Sequence, residues 1–224
     1  MIESYKRKNN LEDNYDVIVI GSGMGSLTAA ALLSREGKKV LVLERHYTAG
    51  GFTHVFKRKG YEWDVGIHYI GEVQNENSPI RKMFDYVSQC NLKWEDMGEV
   101  YDRVVIGEKK YDFVKGVENF KNTLVSYFPD ESKAIEDYIQ LVFDCNKTMK
   151  KFYIEKALPN YISFLFAPFF RNKYLKYSSK TTYDTIFSLT TNQELIKVLT
   201  AQYGDYGLPP KQSSFAMHAS VVKH

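Results

Sequence analysis

Two glycines and a serine follow a short hydrophobic run near the start of the chain and form its clearest chemical motif. In the stretch VIVIGSGMGS, Gly21 and Gly23 occupy the first two positions of the pattern G-x-G-x-x-G, and Ser26 occupies the third, where glycine or alanine is usual. The first glycine permits a tight turn, and the second lets a diphosphate approach the backbone. Because serine is only slightly larger than alanine, we expect a small shift of the following helix and a turn that still binds a dinucleotide.

Hydrophobic runs on either side of this turn predict the elements that position it. β-Branched residues from Tyr15 to Ile20 predict a strand buried on both faces, residues 26–36 predict a helix that ends at Gly37, and Lys39 to Glu44 predict a second buried strand. Strand, helix and parallel strand make a βαβ unit. The helix N-terminus then directs free N–H groups and a partial positive charge towards the phosphates.

An acidic residue ends the second predicted strand. Glu44 lies 23 positions after Gly21, where a carboxylate accepts hydrogen bonds from ribose hydroxyls and repels a 2′-phosphate, so NADP is disfavoured. The alternative is that Gly21 and Gly23 form an ordinary turn and that Glu44 is a solvated charge. In that case the strand, the helix and the acid would match the dinucleotide pattern by coincidence.

A second glycine pair distinguishes between the two common dinucleotides. Gly50 and Gly51 follow Glu44 by six and seven residues, and this spacing resembles the FAD fingerprint of the amine oxidase and phytoene desaturase superfamily. A simple NAD dehydrogenase would continue into another helix instead. We therefore expect FAD, the alternative being that the pair is only a loop. The predicted cofactor-binding residues are Gly21, Ser22, Gly23, Met24, Gly25, Ser26, Glu44, Arg45, Gly50 and Gly51.

Two further segments resemble one branch of this superfamily. The stretch WDVGIHYIGE is similar to the retinol saturase and carotenoid isomerase branch of the phytoene desaturase family, and AQYGDYGLPP with the following SFAMHASVVKH resembles a second family segment. Phe52 and Thr53 depart from that branch, which often has small or thiol residues there, and this changes the expected shape of the pocket near the flavin. The positions that carry the first likeness are Asp64, Gly66, Ile67, His68, Tyr69 and Gly71.

The resemblance implies a flavin oxidoreductase that acts on carbon–carbon bonds of a retinoid or carotenoid, with hydride transfer at flavin N5. His68 is then a candidate catalytic residue, although a lone histidine is more often structural, and the catalytic residues are otherwise unknown. Tyr203 and Tyr206 are candidates for lining a substrate tunnel, with a turn stopped by proline as the alternative. Two rival functions stay open. One is a redox-neutral carotenoid cis–trans isomerase that uses reduced FAD, and the other is an inactive fragment or partner subunit that needs a second half.

The composition of the chain argues against several other classes of function. The chain has 224 residues, 44% of them hydrophobic, and a net charge of +3 with lysines spread along it, so nucleic acid is not expected as a partner. Cys90 and Cys145 stand far apart without neighbouring histidines, which argues against a metal site and fits a reducing compartment. No secretory signal is recognisable in the first fourteen residues, so a cytoplasmic location is expected.

An aromatic segment raises the question of membrane contact. Residues 157–170 are uncharged but too short for a transmembrane helix, and Pro159 and Pro168 are expected to interrupt them. Together with Arg171, Lys173 and Lys176, the segment is typical either of a peripheral membrane face or of the inner wall of a substrate domain. Of the two interpretations, the wall is favoured.

The predicted fold class is α/β, a Rossmann-like FAD-binding βαβ unit with an inserted α+β substrate domain. Residues 1–75 are assigned to the FAD-binding domain and 76–224 to the substrate-binding domain. The resemblance implies proteins about twice as long, so the sheet is incomplete in this chain, and the polypeptide by itself is expected to bind FAD poorly or to aggregate. Within residues 76–224 we expect a hairpin around Glu108 and Lys109 and helices over 78–86, 117–127, 131–151, 183–189 and 192–201.

Overall fold

The computed structural model describes residues 14–66 and 69–223, which form two compact units. The first unit ends at Glu95, and the second begins at Asp96. The predicted boundary after residue 75 separates two functional domains, whereas the boundary after Glu95 separates two compact units. The predicted domain boundary therefore stays a prediction. The candidate His68, with Ile67, lies outside the described residues, as do residues 1–13, where a secretory signal was sought.

The first unit contains the expected βαβ arrangement. The strands β1 and β2 pair in parallel, with Val17 opposite Val40 and Ile20 opposite Leu43, and helix α1 connects them. The Asp16 carboxylate accepts the backbone N–H of Lys39 at 2.8 Å, which ties the start of one strand to the start of the other. The elements of this unit are β1 (Val17–Ile20), α1 (Met24–Arg35), β2 (Val40–Leu43), β3 (Val55–Arg58), β4 (Tyr61–Asp64) and α2 (Pro79–Ser88).

The expectation that the two parallel strands are buried on both faces is wrong for this chain. The side chains of Ile18 and Ile20 are 58% and 85% exposed, and Leu43 is 47% exposed. Within the described residues, the sheet consists of β1 and β2, so no further strand lies beside either of them. The hydrophobic composition predicts buried strands, whereas burial depends on neighbouring elements that a run of residues does not reveal.

A hairpin follows the βαβ arrangement. Strands β3 and β4 pair antiparallel, and the turn residues Lys59 and Gly60 have φ values of +50° and +83°, as in a type I′ turn. All eight strand residues are exposed, and Phe56 stacks on Trp63 with 5.4 Å between ring centroids. Helix α2 begins after Ser78, whose hydroxyl accepts the N–H of Arg81 at 3.1 Å.

The second unit is mainly helical. The predicted hairpin is confirmed, since β5 and β6 pair antiparallel from Val100 opposite Val114 to Ile106 opposite Lys109. One face of this hairpin and the surrounding helices share a core whose fully buried members include Leu124, Ile135, Ile186, Leu195, Val198 and Phe215. The elements are β5 (Val100–Ile106), β6 (Lys109–Val114), α3 (Val117–Tyr127), α4 (Ser132–Ala157), α5 (Asn160–Ser178), α6 (Thr182–Phe187), α7 (Gln193–Leu199) and α8 (Phe215–Val222).

The aromatic segment is a helix, which the sequence interpretation did not predict. Pro159 precedes α5 as its N-cap, whereas Pro168 lies inside the helix and does not interrupt it. Proline at that position leaves the carbonyl of Phe164, four residues earlier, without a helical N–H, and Phe164 is 79% exposed, so water can satisfy that group. The Glu155 carboxylate of α4 is fully buried and accepts a hydrogen bond from Arg171 Nη2 at 2.8 Å, which fixes α5 against α4.

No helix in the described part of the chain is both long enough and apolar enough to cross a membrane.

Candidate dinucleotide-binding site

The first glycine turn follows β1 directly and leads into α1. Gly21, at φ +91°, donates its N–H to the carbonyl of Leu43 at 2.7 Å, so the turn is joined to the end of β2. Gly23 is the N-cap of α1, and the helix therefore begins at Met24, two residues before the predicted start at Ser26. The glycine at the cap provides no side chain that could satisfy the first N–H groups, and the first helical turn contains no acidic residue. These N–H groups, together with the helix dipole, favour an anion.

Space around the glycines meets the requirement for a phosphate. Apart from adjacent residues and the backbone of α1 itself, no heavy atom of the described residues lies within 4 Å of a Cβ placed at Gly21, Gly23 or Gly25. Side chains at these positions would fill open space over the turn, which is the space that a diphosphate needs to reach the backbone N–H groups. Of the other predicted residues here, Met24 is exposed and Ser26 is half-buried. The donors present and the open space fit a dinucleotide diphosphate.

The carboxylate of Glu44 lies at the same turn. Its Oε2 accepts hydrogen bonds from Ser22, at 2.8 Å from the backbone N and 2.5 Å from Oγ, and its Oε1 accepts the N–H of His46 at 2.7 Å. The Ser22 hydroxyl, followed by the backbone N–H groups of His46 and Ser22, lowers the pKa of Glu44 to about 2. Glu44 is therefore ionised at neutral pH. Its side chain is exposed and Arg45 beside it is exposed as well, so the carboxylate is accessible to a ribose diol.

The second glycine pair folds onto the first turn. Gly50 donates its N–H to the Ser22 carbonyl at 3.1 Å, and its φ is +116°. A Cβ on Gly51 would lie 3.0 Å from the Cα of Gly23, and the φ of Gly51 is +59°. Both the backbone conformation and the close approach require glycine here. The structure thus brings together the two glycine segments and Glu44, which are separated along the chain.

Two histidines beside the glycine pair were missed by sequence reasoning. The rings of His46 and His54 lie 4.8 Å apart, and His54 Nδ1 forms a hydrogen bond with the Gly51 carbonyl. In the sequence, His46 lies two residues after Glu44 and His54 lies three residues after Gly51, and this proximity could have indicated that both histidines are near the site. Gly66 is explained by packing, because a Cβ there would lie 3.0 Å from the Cβ of Phe52. Phe52, the residue that departs from the family pattern, is thus in contact with a residue of the family-like stretch.

The predicted substrate residues lie in the second unit. Tyr203 belongs to a 3₁₀ turn over Ala201–Asp205, is 46% exposed, and helps to line an open cleft of about 420 Å³. Charged side chains of Asp102, Arg103 and Lys197 also line this cleft. The hydroxyl of Tyr206 instead lies 3.1 Å from Nδ1 of the buried His218. A role for either tyrosine in binding substrate stays a prediction.

Comparison with known proteins first identifies the class. A family model described as an NAD(P)-binding Rossmann-like domain matches residues 19–87, which include the glycine turn, Glu44 and the glycine pair. The chain therefore contains a Rossmann-like dinucleotide-binding domain, and the rest of the structure is mixed α and β with small sheets.

Individual relatives then show which proteins this chain is similar to. The chain is 38% identical over 224 residues to an all-trans-retinol 13,14-reductase of Danio rerio, and 36% identical over 228 residues to an inactive all-trans-retinol 13,14-reductase of the same organism. It is 31% identical over 169 residues to a chloroplastic prolycopene isomerase 1 of an Oncidium hybrid cultivar. It is also 27% identical over 150 residues to a 1-hydroxycarotenoid 3,4-desaturase of a Flavobacterium species. The resemblance drawn from the sequence is confirmed: the homologues of this chain are retinol 13,14-reductases and carotenoid isomerases and desaturases of the phytoene desaturase superfamily.

Coverage differs between the chain and these relatives. The two retinol reductase alignments include 96% of this chain but 37% of each relative, and the isomerase alignment includes 71% of this chain and 27% of the relative. The chain thus spans little more than a third of the length of the reductases, which is less than the half that the resemblance led us to expect.

Proposed function

We propose that this chain supplies the dinucleotide site and part of the substrate domain of a FAD-dependent oxidoreductase that acts on carbon–carbon bonds of a long apolar polyene, a retinoid or a carotenoid. The observation that carries the proposal is the contact between the two glycine segments, where Gly51 lies against Gly23 and Gly50 donates to Ser22. An incidental loop after β2 would not need this close approach of backbone to backbone.

The choice of FAD over NAD rests on the order of the motifs. After Glu44 the chain returns to the first turn through Gly50 and Gly51 instead of entering another helix, and this matches the flavoprotein fingerprint. The names of the relatives agree with a redox cofactor, since they describe a reductase and a desaturase. The matched family model is described for NAD(P), so the assignment of FAD depends on the glycine pair and Glu44.

Each residue of the site has a separate task in this proposal. The N–H groups at the start of α1 bind the diphosphate, and the ionised Glu44 accepts hydrogen bonds from ribose hydroxyls. Gly50 and Gly51 have no side chains, so the backbone can pass close beside the nucleotide. A bound flavin supplies hydride transfer at its N5 atom. His68 remains the candidate catalytic residue of this chain.

Residues 76–224, which include the second unit, are the proposed substrate domain, inserted into the dinucleotide-binding domain. Apolar polyenes are recognised mainly by aromatic and aliphatic surface, and Tyr203 and Tyr206 are the residues proposed to contribute it. A peripheral membrane contact through α5 would give such a substrate a path from the bilayer. The exposed side chains of Phe164, Leu165 and Phe169 support this contact.

Two alternatives keep specific support. The relative named as a prolycopene isomerase favours a redox-neutral cis–trans isomerisation of the same class of substrate. The second alternative is an inactive fragment or partner subunit that needs a second half. The relative named as inactive is 36% identical, close to the 38% of the relative named as a reductase, so overall identity does not favour activity over its absence.

The nucleotide content of the purified protein tests the proposal. We expect denaturation of the full-length protein to release FAD, identified by its absorbance and mass. Release of NAD or of no dinucleotide would overturn the proposal. Incubation with a polyene then separates reductase or desaturase from isomerase, because the product mass changes by two hydrogens in the first case and stays constant in the second.

A matched pair of variants assigns the nucleotide to the glycine turn. Gly23→Val places a branched side chain in the open space over the turn, and we expect it to abolish FAD binding. Ala29→Val adds similar bulk to an exposed position of α1 and should retain FAD. Equal FAD content in the two variants would place the nucleotide elsewhere.

A further inference from the structure

The hydroxyl of Ser22 is buried between two other segments of the site. The residue is 1% exposed, and its Oγ lies 2.5 Å from Glu44 Oε2 and 3.2 Å from the backbone N of Gly50. The direction of both bonds follows from their partners. An ionised carboxylate only accepts and a backbone N–H only donates, so the hydroxyl donates its proton to Glu44 and accepts from Gly50. The Gly50 N–H is shared between this hydroxyl and the Ser22 carbonyl, 3.1 Å away.

These bonds join three parts of the chain that are distant in sequence. Ser22 stands in the first glycine turn, Glu44 follows β2, and Gly50 begins the second glycine segment. The bond to Glu44 is charge-assisted and short, which makes it stronger than a bond between neutral groups. The Glu44 side chain is otherwise long, flexible and exposed, and among the described groups its further bonds come from backbone N–H groups.

We propose that the Ser22 side chain is a positioning residue, which holds the Glu44 carboxylate at the glycine turn in the orientation that receives a ribose and which closes Gly50 over that turn. The inference rests on the proposed function, since it assigns the ribose of a dinucleotide to Glu44. Ser22 acts here through its hydroxyl and not through contact with the nucleotide. The lowered pKa of Glu44, for which the Ser22 hydroxyl is the largest cause, agrees with this geometry.

Binding of ADP provides the first test, because ADP contains the ribose and diphosphate without the flavin. We expect Ser22→Ala to weaken ADP binding about tenfold, the loss of one charge-assisted hydrogen bond. The loss should grow as the pH falls from 7 towards 4, because Glu44 without the hydroxyl takes up a proton at a higher pH. Ser22→Thr, which keeps a hydroxyl, should restore much of the affinity, and Ser34→Ala on the exposed side of α1 should change nothing.

Titration of Glu44 in the nucleotide-free protein gives an independent second test. Carbon-detected NMR of the Glu44 carboxyl should show a pKa that rises in Ser22→Ala and stays low in Ser34→Ala. Ser22→Cys, a weak donor of similar size, replaces Ser22→Ala if the latter does not fold. An unchanged ADP affinity, pH profile and Glu44 pKa in these variants would overturn the inference. Absence of ADP binding by the unmodified full-length protein would instead overturn the proposed function, while the Glu44 titration would still decide whether Ser22 positions the carboxylate.

Discussion

The phenol oxygen of Tyr138 lies 2.8 Å from Nε2 of His218 in the interior of the second unit. The other ring nitrogen, Nδ1, lies 3.1 Å from the phenol oxygen of Tyr206. His218 is fully buried, and burial lowers its pKa to about 4. A neutral imidazole has one donor and one acceptor nitrogen, so one tyrosine donates to the ring and the other accepts from it. The arrangement is satisfied when His218 is neutral. Protonation would let both phenol oxygens accept an N–H, but it would place a positive charge in the interior, and this burial of charge is what lowers the pKa.

This burial predicts a loss of stability in mild acid. The pKa of His218 is lower in the folded chain than its ordinary 6.5, so the unfolded state binds the proton more readily. The stabilisation is complete above pH 6.5 and is lost as the pH falls towards 4. We expect the free energy of unfolding to fall by about 2 kcal/mol between pH 7.5 and 5 from this residue. The carboxyls of Glu44 and Glu155, with pKa values of about 2, contribute their own losses only in more acidic solution.

Chemical denaturation at a series of pH values measures this effect. His218→Gln keeps an amide that can bond both hydroxyls, and it should be less stable than the unmodified chain at pH 7.5 but nearly independent of pH down to 5. His46→Gln, at an exposed position, should retain the original slope. An equal slope in His218→Gln would show that another group causes the pH dependence.

The buried site around His218 could not be predicted from the local sequence. The segment SFAMHASVVKH was recognised as family-like, but the partner Tyr138 lies 80 positions away, and such a pairing depends on how α4 packs against α8. The local signals were sufficient for the βαβ unit, the hairpin at Glu108 and Lys109, and helix α3, whose predicted bounds agree with the structure. Burial of β1 was predicted wrongly because it depends on neighbouring strands. Helix α5 is not predicted by the sequence because Pro159 and Pro168 favour an interruption, whereas Pro159 is the N-cap and Pro168 lies inside the helix.

In the candidate site, too, features set by local sequence were predictable, whereas contacts between distant segments were not. Positions of Gly21, Gly23 and Glu44 follow from a motif with fixed spacing, and the structure places them at one turn. The contact of Gly51 with Gly23 and the two bonds of the Ser22 hydroxyl depend on the path of the intervening loop. The path of this loop cannot be predicted from a periodic pattern of residues. The sequence therefore predicts which residues form the site, but not the interactions that hold them together.

The contact between the glycine segments predicts an effect of a single methyl group. Gly51→Ala places a Cβ 3.0 Å from the Cα of Gly23, and the backbone of one segment has to move. We expect ADP affinity to fall about tenfold or more, corresponding to at least about 1.4 kcal/mol. Gly60→Ala is the control, because Gly60 also has a positive φ of +83° but open space around its Cα. Titration calorimetry should show unchanged ADP binding for the control. Equal affinities for the two variants would mean that the close approach has no part in binding.

Helix α5 predicts binding to lipid vesicles. The side chains of Phe164 and Leu165 are 79% and 74% exposed, and Lys173 follows, with its Nζ 4.0 Å from the ring centroid of the exposed Phe169. Apolar side chains beside basic ones suit the boundary between acyl chains and anionic headgroups. We therefore expect the protein to sediment with vesicles that contain anionic lipid, and the double variant Phe164→Ser, Leu165→Ser to lose this binding.

Two further variants separate the membrane from the alternative, an inner wall of the substrate domain. Lys173→Gln should weaken binding to anionic vesicles and leave binding to neutral ones unchanged, because only the former attract its charge. Phe187→Ser, at another exposed aromatic residue of the second unit, should retain vesicle binding. Phe170 is a poor choice for such a variant, since it is only half exposed. If the unmodified protein does not sediment, or if the Phe164 and Leu165 variant sediments equally well, then this face of α5 does not bind lipid, and substrate affinity becomes the property to measure in the same variants.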